Sequence, residues 1–352
     1  MLQSHVHLER VDSDNGNKPL MKSALLFGLQ DLRLVDTPIP KADPKGVVVR
    51  VDACGICPSD IRKYHTIYSG AMTLPANLGH EFVGTVVDIG DEVNTLQLEQ
   101  RIVGVGYVGY AQYASMPLEF NPPLHTPQPL VFSNRVSDAA ATFVEPLACC
   151  IHAVDDQAAL ASGQSVLIVG GGTMGQLMLM VAKDRGLRTL VAEPYAHRRS
   201  KAEELGVDAV FDPGDDLSAA VREANAGERV DAAILTIGNP DSVQDCVMSV
   251  VACGRVVLFG RFPDKATIRV DPSRLYRDEV HILGSNWIGG TPTRAHPDAY
   301  RKAVDLIESE RAPVDALVSG VYPLSRIHEA FAAASSMETF KIILTPHEAG
   351  EE

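Results

Sequence analysis

The chain has 352 residues, 45% hydrophobic and 22% charged, enough for two domains with ample core and ordinary for a soluble globular enzyme. Its 45 acidic against 31 basic residues leave a net charge of −14, which argues against nucleic acid or an anionic membrane surface as a partner. Six cysteines with no sign of secretion read as thiols or metal ligands of a cytoplasmic protein rather than as disulfides.

In chain order, Met1–Leu20 is polar and mixed in charge, with no apolar signal core, and reads as a disordered extension or an upstream start. From Met21 to Asn134 the pattern is short and β-like, with strands expected at Ser23–Phe27, Leu32–Val35, Val47–Asp52, Phe82–Ile89, Arg101–Tyr107 and Ala111–Ser115. One short helix interrupts at Pro58–His65, with proline in its first turn. A helical region follows over Ser137–Asp156, opened by Ser137-Asp138 and broken by Pro146.

Ser165–Val169 is an apolar run fit for a buried parallel strand. Gly170, Gly172 and Gly175 then fall at the G-x-G-x-x-G spacing, with Thr173 and Met174 between the last two. Met174, Leu177, Met178 and Val181 follow in helical rhythm, and Gly186 stops that helix. A second strand ends in Glu193, about twenty residues on, where a carboxylate takes ribose hydroxyls. The first glycine turns tightly, the second admits the pyrophosphate, and the third lets helix and strand pack, so the unit reads as a dinucleotide site. The same window, Val166–Ala182, is the most apolar in the chain, yet its three consecutive glycines, Thr173 and Gln176 exclude a membrane span.

Further strands at Ala209–Phe211, Ala232–Leu235, Arg255–Phe259 and Val280–Leu283 alternate with helices at Ala196–Leu205, Leu217–Ala226 and Pro240–Ala252. The fold class is therefore α/β, a doubly wound six-stranded parallel sheet beside a β-rich domain. Thr236 ends the fourth strand on the ligand side of that sheet. After Gly290, an amphipathic helix through Tyr300–Ile307, a helix over Leu324–Ser335 and a strand over Phe340–Leu344 return to complete the first domain. The expected division is 21–155 with 292–352, and 156–291.

Three separated signals remain: Cys54-Gly55-Ile56-Cys57-Pro58-Ser59-Asp60, Gly79-His80-Glu81 and Glu145-Pro146-Leu147. With V-G-G-G-T-M-G, and in this order from about Met21 to Pro346, the chain resembles the zinc-dependent medium-chain dehydrogenases, above all the polyol branch typified by sorbitol dehydrogenase. The resemblance implies a GroES-like catalytic domain and a catalytic zinc held by Cys57, His80 and Glu145, with Glu81 a ligand in some relatives, and Asp60 behind them. It also implies that Cys149 lies near the nicotinamide. Read from the residues alone, Cys54-x-x-Cys57 is also compatible with a redox pair, His80 with a core histidine, and Cys149 and Cys150 with buried inert thiols. Cys246 and Cys253 read as nucleotide-domain core. The family's lobe of four cysteines is missing from Arg101–Tyr113, which predicts one zinc per chain and puts the usual homodimer or homotetramer in doubt.

The implied reaction is hydride transfer between a secondary alcohol of a sugar, cyclitol or other polyol and NAD. Ser59 holds the position of the family's proton-relay hydroxyl, Arg62 stands where the alcohol branch has its relay histidine, and Glu145 or a water accepts the proton instead. The carboxylate of Glu193 repels a 2′-phosphate and favours NAD, while Arg198 and Arg199 leave room for NADP. Tyr64, Tyr68, Phe120, Asn286 and Trp287 are substrate-pocket candidates by analogy. The competing readings are a zinc-free reductase of enones or quinones and a nucleotide-binding protein without turnover.

Overall fold

The computed structural model describes residues 19–66, 73–104, 106, 108–118, 129–214, 216–286 and 297–347. They fall into two compact units, 19–144 with 315–347 and 145–286 with 297–314. All but the last two residues of the expected N-terminal extension lie outside the described residues.

The first unit opens with β1 (Leu20–Gly28), β2 (Asp31–Pro38) and β3 (Gly46–Gly55). Val47, Val48, Val49 and Val51 of β3 are all buried, the pattern of a central strand covered on both faces. The chain turns at Cys57 into α1 (Pro58–His65), where Pro58 gives up no needed N–H and Asp60 suits the positive helix end. Next come β4 (Ala76–Asn77), β5 (Glu81–Ile89), β6 (Arg101–Gly104), β7 (Tyr113–Pro117) and β8 (Leu130–Val131). β6 runs to Gly104, and Val105 and Tyr107 of the expected strand lie outside the described residues. Ala111 makes only an isolated bridge to Ser23 before β7 begins.

Ser137 caps α2 (Asp138–Ala141) by accepting from the Ala140 N–H at 3.0 Å. Pro146 does not break the following helix, contrary to expectation. It sits in the first turn of α3 (Val144–Ile151), where a missing N–H costs nothing, and the break falls earlier, at Thr142–Phe143. A π-helical stretch, His152–Ala158, continues α3 and ends at Ala159 in left-handed backbone.

The second unit alternates β9 (Ser165–Val169), α4 (Thr173–Asp184), β10 (Arg188–Ala192), α5 (Ala196–Glu204), β11 (Ala209–Phe211), α6 (Leu217–Ala224), β12 (Val230–Leu235), α7 (Ser242–Ser249) and β13 (Val250–Leu258). It closes with α8 (Pro272–Tyr276), absent from the sequence reading, and β14 (His281–Gly284). The six strands are parallel in the order β11-β10-β9-β12-β13-β14. The order reverses between β9 and β12, the switch point at which such sheets bind ligands.

Helix α9 (Pro297–Glu308) belongs to this second unit, not to the expected C-terminal return. Lys302 pairs with Asp155 at 3.1 Å, and Arg311 beyond the helix pairs with Asp184 at 2.7 Å. The second unit also begins at Glu145, earlier than the expected residue 156.

The last stretch gives β15 (Val318–Pro323), which the sequence reading missed, α10 (Ile327–Ala334) and β16 (Lys341–Thr345). These strands extend a seven-stranded sheet, β15-β16-β3-β5-β6-β8, with β7 also on β3. Leu324, Ile327 and Phe331 join Cys54, Phe82 and Tyr110 in one core, each large side chain contributing about 1.5–3 kcal/mol. No helix among the described residues is long and apolar enough to cross a membrane.

Candidate metal centre and nucleotide loop

Gly55, the last residue of β3, lies opposite Glu81, the first of β5. The turn after β3 and the turn before β5 therefore meet at one edge of the sheet. Cys57 Sγ, a ring nitrogen of His80 and a carboxylate oxygen of Glu81 all lie within 4.8 Å of one another. Cys57 is the N-cap of α1 and its sulfur accepts from the Ser59 N–H at 3.4 Å. A helix N-terminus favours negative charge, so the local fold suits a sulfur ligand. Cys54 is different: burial, then the charges of Glu81 and Asp60, push its thiol well above the ordinary range. Of the two cysteines, only Cys57 joins the cluster.

Asp60 is fully buried, and its Oδ2 faces His80 Nδ1 at 3.5 Å. Burial works to raise the Asp60 carboxyl, but the His80 charge and hydrogen bond, Lys63 and Tyr110 outweigh it and hold it low. For His80, burial works downward, and the Cys57 and Asp60 charges overcome it, so its affinity for a proton lies well above the usual range. A sulfur and a buried carboxylate around one imidazole make a site that suits a cation.

Glu81 brings a partner that the sequence reading missed. Its carboxylate pairs with the Lys341 ammonium at the start of β16, and both residues are 2% exposed. The only signal was a lysine opening an apolar strand, a pattern shared by many edge strands.

Sulfur, nitrogen and oxygen donors are the set zinc takes. Ser59 Oγ, Asp60 Oδ1 and Arg62 Nε are buried without a hydrogen bond among the described residues, as expected beside a site built for more than protein. Glu145 opens the second unit in α3, 7% exposed, and accepts from the Cys149 thiol at 3.5 Å. Cys150 donates to the Met174 carbonyl at 3.5 Å, and burial, then the Glu145 charge, raise its thiol far above the ordinary range.

In the nucleotide unit, Gly170 has φ +102°, and a Cβ there would stand 2.4 Å from Thr236 Oγ1. A Cβ on Gly175 would stand 1.9 Å from the Gly170 carbonyl oxygen, which is the close helix–strand approach expected of it. Gly172, by contrast, has room, its nearest neighbour being Arg198 at 3.7 Å. It caps α4, which Thr173 and Met174 open. Thr236 donates to the carbonyls of Val169 and Gly170, at 2.9 and 3.1 Å, and so ties β12 to the turn. Glu193, 2% exposed, accepts from the Gly171 N–H at 2.6 Å and the Tyr195 N–H at 2.9 Å. Arg198 Nη1 stands 3.8 Å from the same carboxylate, and its guanidinium lies over the Tyr195 ring.

Among the pocket candidates, Tyr64 packs edge-on against Phe331 at 5.4 Å, and Asn286 is exposed. Tyr68, Phe120 and Trp287 lie outside the described residues. His65 is exposed and bonds Gln30 at 3.3 Å. Cys246 is buried as expected, but Cys253 is exposed, held in left-handed backbone at φ +59°.

A doubly wound sheet with a glycine turn at its switch point and, in the other unit, a thiol–imidazole–carboxylate cluster are the features of a nicotinamide oxidoreductase. The alcohol dehydrogenase GroES-like domain family matches residues 43–122, and the zinc-binding dehydrogenase family matches residues 173–309. The D-arabitol-phosphate dehydrogenase of Enterococcus avium is 25% identical over 346 residues, covering 90% of this chain and 94% of its own. The sorbitol dehydrogenase of Bombyx mori is 27% identical over 350 residues, covering 92% and 97%. A solved structure from Sinorhizobium meliloti 1021, described as a zinc-binding dehydrogenase bound to NADP, superposes with a TM-score of 0.82 at 25% identity, over 94% of this chain and all of that one. The two matches together take in more than half of the chain, which belongs to the zinc-type medium-chain alcohol dehydrogenase family, and polyol dehydrogenases are among the relatives it resembles.

Proposed function

We propose that this protein is a zinc-dependent oxidoreductase that moves a hydride between a secondary alcohol of a sugar, cyclitol or related polyol and NAD. The observation that carries the reading is the Cys57–His80–Glu81 cluster at the α1 N-terminus. A zinc-free reductase or a nucleotide-binding protein without turnover has no use for those donors. Cys57, His80 and Glu81 would hold the ion, Glu81 also pairing with Lys341, and Glu145 is the further oxygen donor that the family resemblance implies. One zinc per chain follows, since the four-cysteine lobe is missing from Arg101–Tyr113. Bound there, zinc supplies Lewis acidity that makes an alcohol oxygen easier to deprotonate, and NAD supplies the hydride acceptor. Asp60 orients His80 and holds its Nδ1 proton. Glu145 or a water would accept the substrate hydroxyl proton, and Ser59 Oγ, buried with no hydrogen bond among the described residues, would relay it only by passing its own proton on.

The glycine turn from Gly170 to Gly175 and the N-terminus of α4 hold the pyrophosphate. Glu193 keeps lone pairs for ribose hydroxyls beyond the two it gives to backbone N–H groups. Its charge favours NAD, and Arg198 is the residue that would accept NADP. The reading places the protein in the cytoplasm as a dimer or tetramer, which light scattering on purified protein checks. The deciding experiment is zinc analysis together with a polyol, cyclitol and amino-polyol panel followed by nicotinamide absorbance. Stoichiometric zinc with turnover of a secondary alcohol supports the reading, and a metal-free protein that reduces enones overturns it. Steady-state kinetics with each cofactor tests the Glu193 assignment, which a clear preference for NADP would sink.

A further inference from the structure

Residues 108–113 supply none of the donors above, yet they pack directly on the loop that carries His80. The Val108 and Gly109 N–H groups both donate to the Gly79 carbonyl, at 3.0 and 2.9 Å, and the Tyr110 N–H donates to the Leu78 carbonyl at 3.3 Å. Tyr110 is 1% exposed, and its Oη donates to Asp60 Oδ2 at 3.0 Å. That oxygen is the one facing His80 Nδ1 at 3.5 Å. The Tyr110 ring lies flush on Gly79: a Cβ there would stand 2.5 Å from Cδ1, and Gly79 has φ +82°. Phe331 meets the same ring edge-on at 5.8 Å.

We infer that Tyr110 is a positioning residue of the metal centre, its hydroxyl fixing Asp60 so that Asp60 in turn fixes the His80 ring. This rests on the zinc reading proposed above. A carboxylate oxygen has two lone pairs, one for Tyr110 and one for His80. Lys63 approaches the other oxygen only at 3.7 Å, too far to set the carboxylate plane. A phenol is a neutral donor, so it orients Asp60 without cancelling the negative charge that His80 uses. Outer partners of this kind set the geometry and affinity of a metal site.

The test compares zinc release to a chelator, the Co2+-substituted spectrum and the melting temperature in wild type, Tyr110→Phe, Tyr110→Leu and Tyr113→Phe. Tyr110→Phe keeps every ring contact and loses only the hydroxyl. It is expected to melt below wild type but above Tyr110→Leu, to release zinc about 10–100-fold faster and to shift the thiolate-to-cobalt and d–d bands. Tyr113, which packs on His347, serves as the control with no change. Wild-type release and spectrum in Tyr110→Phe, with Tyr110→Leu alone releasing faster, would reduce Tyr110 to packing and overturn the inference. In the wild-type zinc protein, 15N-labelled His80 should show an Nδ1–H bound to a carboxylate, and a bare Nδ1 overturns it without any variant. A wild type that holds no zinc at all is a separate failure, of the function reading itself, seen before any variant is made.

Discussion

The two units build their key carboxylates in opposite ways. Glu193 is held by backbone N–H groups of Gly171 and Tyr195, 22 and 2 residues away in the chain. Glu81 is held by one side chain, Lys341, 260 residues away. The nucleotide loop is a local object, since strand, turn, helix and acid follow each other in sequence. The candidate metal centre is assembled from the end of β3, the start of β5, the segment before β7 and the start of β16. A site made of backbone donors tolerates substitution around it, whereas one made of paired buried charges depends on each member.

The largest expected effect tests which cysteine the metal centre uses. Cys57→Ser should lose zinc and lower kcat/KM by about a thousandfold, since several kcal/mol of charge stabilisation vanish at tenfold per about 1.36 kcal/mol. Cys54→Ala should keep full zinc content, and metal analysis of both variants decides. The contrast between the carboxylates predicts the next effect. Lys341→Met strands a buried anion and should cost about 3–5 kcal/mol in urea unfolding. The double variant with Glu81→Gln should recover most of it, and a double variant as unstable as the single one would show that Lys341 acts through packing.

Within the nucleotide loop two glycines should part company. Gly175→Ala meets the Gly170 carbonyl at 1.9 Å and should cost about 1–3 kcal/mol of stability. Gly172→Ala has room in the protein, so its melting temperature should stay put while the KM for cofactor rises. The smallest effect lies at the rim of the second unit. Hydrogen bonds from Arg277 and then Arg274 hold the Asp278 carboxyl below the ordinary carboxylate range. A depressed folded value means a contribution present above the unfolded value of about 3.9 and lost as pH falls through the folded one. The melting-temperature gap between wild type and Asp278→Asn should therefore be open at neutral pH and close in acid.

The same contrast explains what was readable from residues alone. The six parallel strands and their order-reversing turn follow from apolar runs punctuated by glycine, because each βα unit carries its own start and stop. Cys57, His80 and Glu81 were identifiable because their motifs are short and resemble a known family. Lys341 and Tyr110 were not, because nothing within ten residues of either marks it as facing a carboxylate across a sheet. Strand β15 escaped because Val318–Pro323 alternates weakly around Ser319 and Gly320. Helix α9 is legible as amphipathic from its residues, but its apolar face does not say which unit it covers.

The late position of β16 has a consequence for biosynthesis. Cys57, His80 and Glu81 all precede the lysine that balances Glu81, which lies 260 residues beyond that carboxylate. During synthesis Glu81 has no Lys341 to pair with until β16 has been made, and burying it before then would strand a charge.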